Sequence, residues 1–264
     1  GVFAKMKAAK KEGKAKKELP AMTSFTGGMA MLPQQLADHL GNMIEYGITV
    51  QRLTRLPNGW RVHSGRGDLV CRQLLLALPV NRCLELLGEA LPVLPPPISA
   101  IPEARILSVL LGFDQRAQIP FGFGYLAPEK EQRFALGALF SSHMFPGRAP
   151  AGGQLLEALV GGRRHPDRLR LSDAELIEAV YADLSQLMHL PQPIYSAVLR
   201  PAAGIPQLER GYTDLLRWRQ TVHTTHPDLR CCGFGWKGIG INDMIKEARQ
   251  VAEARCTQQQ IDKR

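Results

Sequence analysis

The chain has 264 residues, 45% of them hydrophobic, and a net charge of +9. That length holds one large domain or two small ones with a real core. Its longest apolar runs, Leu74 to Val80 and Ile106 to Leu111, fall well short of the roughly 18 residues needed to cross a bilayer. No signal-peptide pattern is present and the chain starts at Gly1 instead of Met, so a segment upstream is expected to be absent.

Residues 1–22 read as a lysine-rich helical lead. Lys5, Lys7, Lys10, Lys11, Lys14, Lys16 and Lys17 against Glu12 and Glu18 place +5 of the +9 in the first 18 residues. Such a stretch is read as a solvated face; attraction to an anionic membrane or a nucleic acid is the functional alternative, and the segment has no run of interfacial aromatics. Gly27-Gly28 then makes a bend. Leu32, Leu36, Ala37 and Leu40 recur at helical spacing up to the stop signal Gly41, with His39 on the surface.

From Tyr46 to Leu78 the period falls to two. Ile48 to Leu53, Trp60 to His63 and Leu69 to Leu78 are predicted as an antiparallel meander, with turns at Pro57-Asn58-Gly59 and Gly65-Arg66-Gly67-Asp68. The end of its last strand, Gln73 to Leu78, is almost wholly apolar and is expected to be buried on both faces. Pro79 opens a short helix to Leu87, and the four prolines between Leu91 and Pro97 mark an extended connector between domains.

Ile106 to Phe113 is a strand. In Gln118 to Pro128 aromatics alternate with glycines, which suits either a pocket for a flat ligand or a twisted strand under a helix. Arg133 to Phe140 and Gln154 to Val160 are further strands. Ser172 and Glu175 form a capping box before a helix whose apolar stripe is Leu176, Val180, Leu184 and Leu187. A strand from Ile194 to Leu199, a loop from Gly204 to Gly211 and a helix from Tyr212 to His223 complete this part. The order is mixed α and β with the strands in two groups.

The terminal stretch Cys231 to Asp243 reads as a buried strand, Leu229 to Cys232, followed by a glycine-rich bend and a helix with Asn242 or Asp243 as N-cap. Glycines permit close backbone approach, and a helix N-terminus offers free N–H groups to electron-rich atoms. Gly233, Gly235 and Gly238 fit G-x-G-x-x-G, but no second strand with an acidic residue follows. The stretch is therefore part of a larger site or a tight strand-to-helix turn. Cys71, Cys83, Cys231, Cys232 and Cys256 have neither zinc nor redox spacing and suggest reduced thiols in a cytosol-like compartment. Nothing nominates a nucleophile or a metal cluster, so an enzyme of this sequence is expected to use a cofactor.

Four stretches, Ser24 to Met29, Gly122 to Pro128, Ala138 to Pro150 with Val160-Gly161-Gly162, and Gly233 to Ile245, together resemble the C-terminal half of the protoporphyrinogen oxidase family, within the flavin amine oxidase superfamily. The resemblance runs from about Gly1 to Glu253. It implies an α/β fold in which an FAD-binding domain is interleaved with a substrate domain built on an antiparallel or mixed sheet. The implied segments are 23–90 (FAD domain with the meander), 91–211 (substrate domain) and 212–264 (return to the FAD domain).

By that resemblance Gly233, Gly238, Ile239, Gly240 and Ile241 approach the flavin by backbone, with Trp236 beside them, and Val50 lies toward the adenine end. Leu107 and Phe123 match positions near the tetrapyrrole. The implied reaction is FAD-dependent removal of hydrogens from a porphyrinogen, in haem biosynthesis, with oxygen as acceptor. Coproporphyrinogen as substrate, or a non-catalytic porphyrin-binding remnant, are the alternatives.

The sequence departs from the family at Phe234, Gly235 and Trp236, at Leu208 and at Tyr212, and it lacks the N-terminal fingerprint that binds the ADP part of FAD. Weak or no FAD binding, and no activity, are accordingly expected of these 264 residues alone. Expected partners are the porphyrinogen and oxygen, with a peripheral membrane contact, a homodimer or the missing N-terminal half as further candidates. No nucleic-acid or metal partner is expected, and the expected location is the cytoplasm, at most peripheral to a membrane.

Overall fold

A computed structural model describes residues 23–261, with side chains to residue 254. The lysine-rich lead and the Cys256 side chain lie outside the described residues. By contacts the chain divides into a unit ending at Ile44 and a unit from Glu45 onward. In the first, α1 (Met31–Leu40) follows the Gly27-Gly28 bend, ends at Gly41 and buries no residue.

In the second unit β1 (Val50–Leu56), β2 (Gly59–Ser64) and β3 (Gly67–Cys71) form the antiparallel meander. Gly59 is obligatory: at φ 146° a Cβ there would lie 2.2 Å from the Cys71 carbonyl oxygen. The predicted strand from Leu69 to Leu78 is in fact two strands, broken at Arg72-Gln73. β4 (Leu74–Ala77) leaves the meander and pairs in parallel with β12 (Leu229–Cys232). β4 is not buried on both faces as expected: Leu76 is buried but Leu75 is half exposed, because β12 is its one partner among the described strands.

Two hydrophobic cores result. The first joins Leu53, Trp60, Leu76 and the buried face of α2 (Val80–Ala90) to Leu215, Trp218 and Val222 of α5 (Tyr212–Thr225) and to Leu229, Cys231 and Trp236. The second lies under one face of an antiparallel sheet of order β10-β6-β9-β8-β7. Its strands are β6 (Ile106–Phe113), β7 (Gly124–Leu126), β8 (Gly137–Leu139), β9 (Gln154–Gly161) and β10 (Tyr195–Leu199). The short helix α3 (Ser141–Met144) follows β8. Period-two alternation sends Leu107, Val109, Leu111, Leu156, Ala158 and Val160 against Leu176, Val180 and Leu184 of α4 (Asp173–Ser185).

Both hydrogen bonds of the Ser172–Glu175 capping box are present. Leu187 does not continue the α4 stripe. The helix stops at Ser185 and Leu187 is exposed, while Met188 turns into the core instead. Likewise the strand expected from Arg133 shrinks to β8, since the Phe134 and Ala135 amides donate to the Asp183 carboxylate and not to a neighbouring strand. A two-stranded link, β5 (Glu103–Ala104) with β11 (Ile205–Pro206), stands between the two cores.

Candidate flavin and substrate site

The parallel strands β4 and β12 end side by side, and each leads through a bend into a helix, α2 from Val80 and α6 (Ile241–Ile261). The crevice outside the carboxyl ends of parallel strands is where α/β sheets bind ligands. The bend after β12 is held from inside. Glu247 on α6 is buried and accepts from the Gly233 amide at 3.0 Å and from Arg219 at 2.8 Å. Arg219, also buried, lies over the Trp236 ring at 5.0 Å. The Tyr212 hydroxyl reaches the carbonyls of Gly235 and Trp236. Burial, with help from the Glu247 charge, raises the Tyr212 pKa and keeps the hydroxyl protonated as a donor.

The glycines divide by what they make room for. A Cβ on Gly233 would lie 2.9 Å from the Leu78 carbonyl oxygen, one on Gly235 2.9 Å from Pro206 and Val80, and one on Gly238 2.5 Å from the Asp243 carboxylate. All three have positive φ. Their absence of side chain thus serves the chain's own packing first. Gly240 differs, because a Cβ there would meet the Asp243 carboxylate alone, at 3.2 Å.

Gly240 is also the N-cap of α6, in place of the expected Asn242 or Asp243: its carbonyl accepts from the Asp243 and Met244 amides, both at 3.1 Å. Ile241 and Asn242 therefore occupy the first two helical positions, whose N–H groups the helix ladder leaves over. Ile239, Ile241 and Ile245 are exposed around this end. Two free N–H positions, a positive helix terminus and an apolar rim fit a flat, uncharged ring with hydrogen-bond-accepting edge atoms, such as the isoalloxazine of a flavin.

Trp236 is fully buried, so any contact it makes with a flavin is by backbone. Val50 begins β1, accepts a hydrogen bond from Arg82 at 2.5 Å, and lines a cavity of about 380 Å3 with Leu53, Leu76 and Leu86. Leu74 to Leu78 line the same cavity, so Val50 and β4 share it, while the glycine bend follows β12, the strand paired with β4. Cys71, Cys83, Cys231 and Cys232 are free thiols. A hydrogen bond to Cys231 and then burial raise the Cys83 pKa, and burial raises that of Cys232, so these sulfurs stay protonated.

The two expected substrate residues part company. Leu107 points into the second core, toward α4. Its strand neighbours Ser108 and Leu110 lie on the opposite, half-exposed face, a displacement of one residue that the period of a strand turns into a change of side. Phe123 is half exposed at the edge strand, beside the fully exposed Phe121, which stacks on His143 with ring centroids 6.2 Å apart.

The open sheet face continues at one end into a cavity of about 720 Å3 lined by Leu110, Gly112, Leu155 and Tyr195, with Arg116 and Arg148 among its polar lining residues. Arg116 is engaged by Asp114, which holds the Asp114 carboxyl below its ordinary pKa. Pro206 of β11, against Gly235, ties the glycine bend to the β5–β11 link, and β5 runs through Arg105 into this sheet.

Glu247, Arg219, Tyr212 and the open-face residues Ser108, Leu110 and Glu157 were not anticipated from sequence. The one signal for Glu157 is a lone charge inside the apolar run Leu155 to Val160.

Residues 3–254 match the family described as flavin containing amine oxidoreductase. The chain is 28% identical over 248 residues to protoporphyrinogen oxidase 1, chloroplastic, of Spinacia oleracea, covering 87% of this chain and 44% of that protein. It is 29% identical over 241 residues to protoporphyrinogen oxidase of Homo sapiens, covering 87% and 50%. The crystal structure of a protein titled putative protoporphyrinogen oxidase from Exiguobacterium sp. 255-15 superposes with a TM-score of 0.75 at 22% identity, over 88% of this chain and 51% of that one. Putrescine oxidase bound to putrescine gives 0.60 at 13% identity, over 88% and 53%. The chain spans about half the length of the curated relatives it matches. Its α/β fold is that of the FAD-dependent amine oxidases, and the chain belongs to the flavin-containing amine oxidoreductases, whose cofactor is FAD.

Proposed function

We propose that this chain supplies the flavin-facing and substrate-facing parts of a porphyrinogen oxidase, which oxidises protoporphyrinogen IX to protoporphyrin IX with oxygen as final acceptor. FAD, when bound, supplies the hydride acceptor. Ile241 and Asn242 would hold the flavin ring through their backbone N–H groups at the helix terminus, with Gly240 leaving room beside them, and Glu247 with Arg219 keeps the bend in register. Leu110, Leu139, Leu155 and Leu159 offer the macrocycle an apolar bed and exclude water from it, while Phe123 closes its edge. Holding the ring against the flavin supplies proximity, the main contribution a protein makes when the cofactor carries the chemistry.

The observation that carries this reading is one chain path: the crevice at the ends of β4 and β12 leads through Pro206 and β5 to the open sheet face. The ADP part of FAD needs a unit not found in these 264 residues, so the chain alone binds FAD weakly or not at all. Coproporphyrinogen is the second reading, favoured by Arg148 at the cavity, since that substrate carries more carboxylates; Arg116 there is paired with Asp114.

The test joins the chain to the ADP-binding unit of a relative and records flavin absorbance, peroxide and oxidation of both porphyrinogens. A yellow joined protein that prefers protoporphyrinogen supports the proposal. If the joined protein takes up no FAD, or oxidises neither porphyrinogen, the proposal fails. A yellow 264-residue chain would overturn the need for the ADP-binding unit.

A further inference from the structure

Among the described residues, the strand positions on the open face of the β10-β6-β9-β8-β7 sheet hold one charged side chain, Glu157. It stands near the middle of the sheet. Leu110 and Leu139 flank it across the two neighbouring strands, and Leu155 and Leu159 lie two residues before and after it on its own strand. The Ser108 hydroxyl donates to its Oε1 at 2.7 Å, which fixes the side chain over this face. An ionised carboxylate has about four lone-pair positions, and Ser108 takes one. A charge at the centre of an apolar bed is costly unless something donates to it. Its position at the centre of the bed would repel a ligand carboxylate placed there and suits N–H donors instead.

We propose that Glu157 recognises the reduced tetrapyrrole by accepting hydrogen bonds from its pyrrole N–H groups, and so distinguishes the porphyrinogen from the porphyrin; this rests on the tetrapyrrole reading above. In a porphyrinogen the bridging carbons are saturated methylenes. The four pyrroles can tilt and aim all four N–H groups at one anion outside the ring plane. Full oxidation conjugates the bridges and flattens the ring, leaving two N–H groups that point to the ring centre, where an external carboxylate cannot meet them. Three neighbouring strands at about 4.8 Å spacing make a bed roughly 10 Å wide, enough to place a tetrapyrrole with Glu157 under its centre. The same carboxylate therefore favours substrate entry and product release.

The test is equilibrium dialysis of the full 264-residue chain, under argon, against protoporphyrinogen IX and separately against protoporphyrin IX, with bound ligand quantified as porphyrin after air oxidation. The wild-type chain is expected to prefer the porphyrinogen by roughly tenfold or more, the scale of hydrogen bonds to a charged group. Glu157→Gln should abolish that preference and leave porphyrin affinity unchanged. Ser108→Ala, which keeps the charge and loses its anchor, should reduce the preference in part, and circular dichroism checks that both variants fold. A Glu157→Gln chain with the wild-type preference, or a wild-type chain that binds both ligands equally, overturns the role of Glu157 and leaves the tetrapyrrole reading standing. A wild-type chain that binds neither ligand overturns the tetrapyrrole reading and this inference with it.

Discussion

The two cores solve the same problem by similar means and leave different surfaces behind. In each, a buried carboxylate paired with an arginine pins an irregular segment by its amides: Glu247 with Arg219 holds Gly233, and Asp183, 3.1 Å from Arg133, holds Phe134 and Ala135. Around Glu247 the pinned segment presents backbone at its glycines, with Trp236 buried behind them and Ile239 exposed beside them. Around Asp183 the pinned segment leads into a sheet that presents a broad apolar side-chain face. A flat cofactor read by N–H groups and an apolar macrocycle read mainly by surface area would use these two surfaces in turn. On the proposed reading, binding follows from what each pinned segment leaves uncovered.

Glu247→Ala should produce the largest effect. It strands the Arg219 charge in the interior and releases the Gly233 amide, at a cost of about 3–5 kcal/mol. Urea unfolding measures this, and a loss below 1 kcal/mol would show that the pair does not hold the bend. Leu176→Ala acts in the other core through a cavity alone, and about 3 kcal/mol is expected; the open face of the sheet should still bind ligand under native conditions. Ser172→Ala removes the N-cap of α4 and should cost about 1 kcal/mol.

A further effect is on pH dependence. Burial, with the nearby Asp183 charge, pushes the Tyr125 pKa up to about 12. The unfolded chain then loses this proton near pH 10 while the folded one keeps it, so stability is full below that pH and falls as the pH rises toward 12. Tyr125→Phe should remove this part of the alkaline decline, as thermal melts from pH 9 to 11.5 would record.

What was legible in the sequence was local. Pro57-Asn58-Gly59 placed a hairpin between β1 and β2, Ser172 with Glu175 placed the start of α4, and the strand read at Leu229 to Cys232 is β12 to the residue. The break at Arg72-Gln73 was not legible, because no turn residue marks it. β4 separates from β3 in order to pair with a strand some 150 residues later.

The site shows the same limit. The glycine bend could be seen, but not that Gly233 and Gly235 are required by Leu78, Val80 and Pro206, since those contacts come from distant segments. Leu107 shows how little separates a lining residue from a core one: a single step along a strand exchanges the two faces of the sheet.

The central claim is that a flavin ring meets the backbone at the start of α6, and Gly240 is the position that tests it. Asparagine is a favoured N-cap, so Gly240→Asn should leave the helix at least as stable. Its side chain would also take the N–H groups meant for the flavin and fill the space beside them. In the polypeptide that carries this chain with a relative's ADP-binding unit, the account predicts an unchanged melting temperature without cofactor and a loss of bound flavin absorbance. Full retention of the flavin by the Gly240→Asn protein would contradict it.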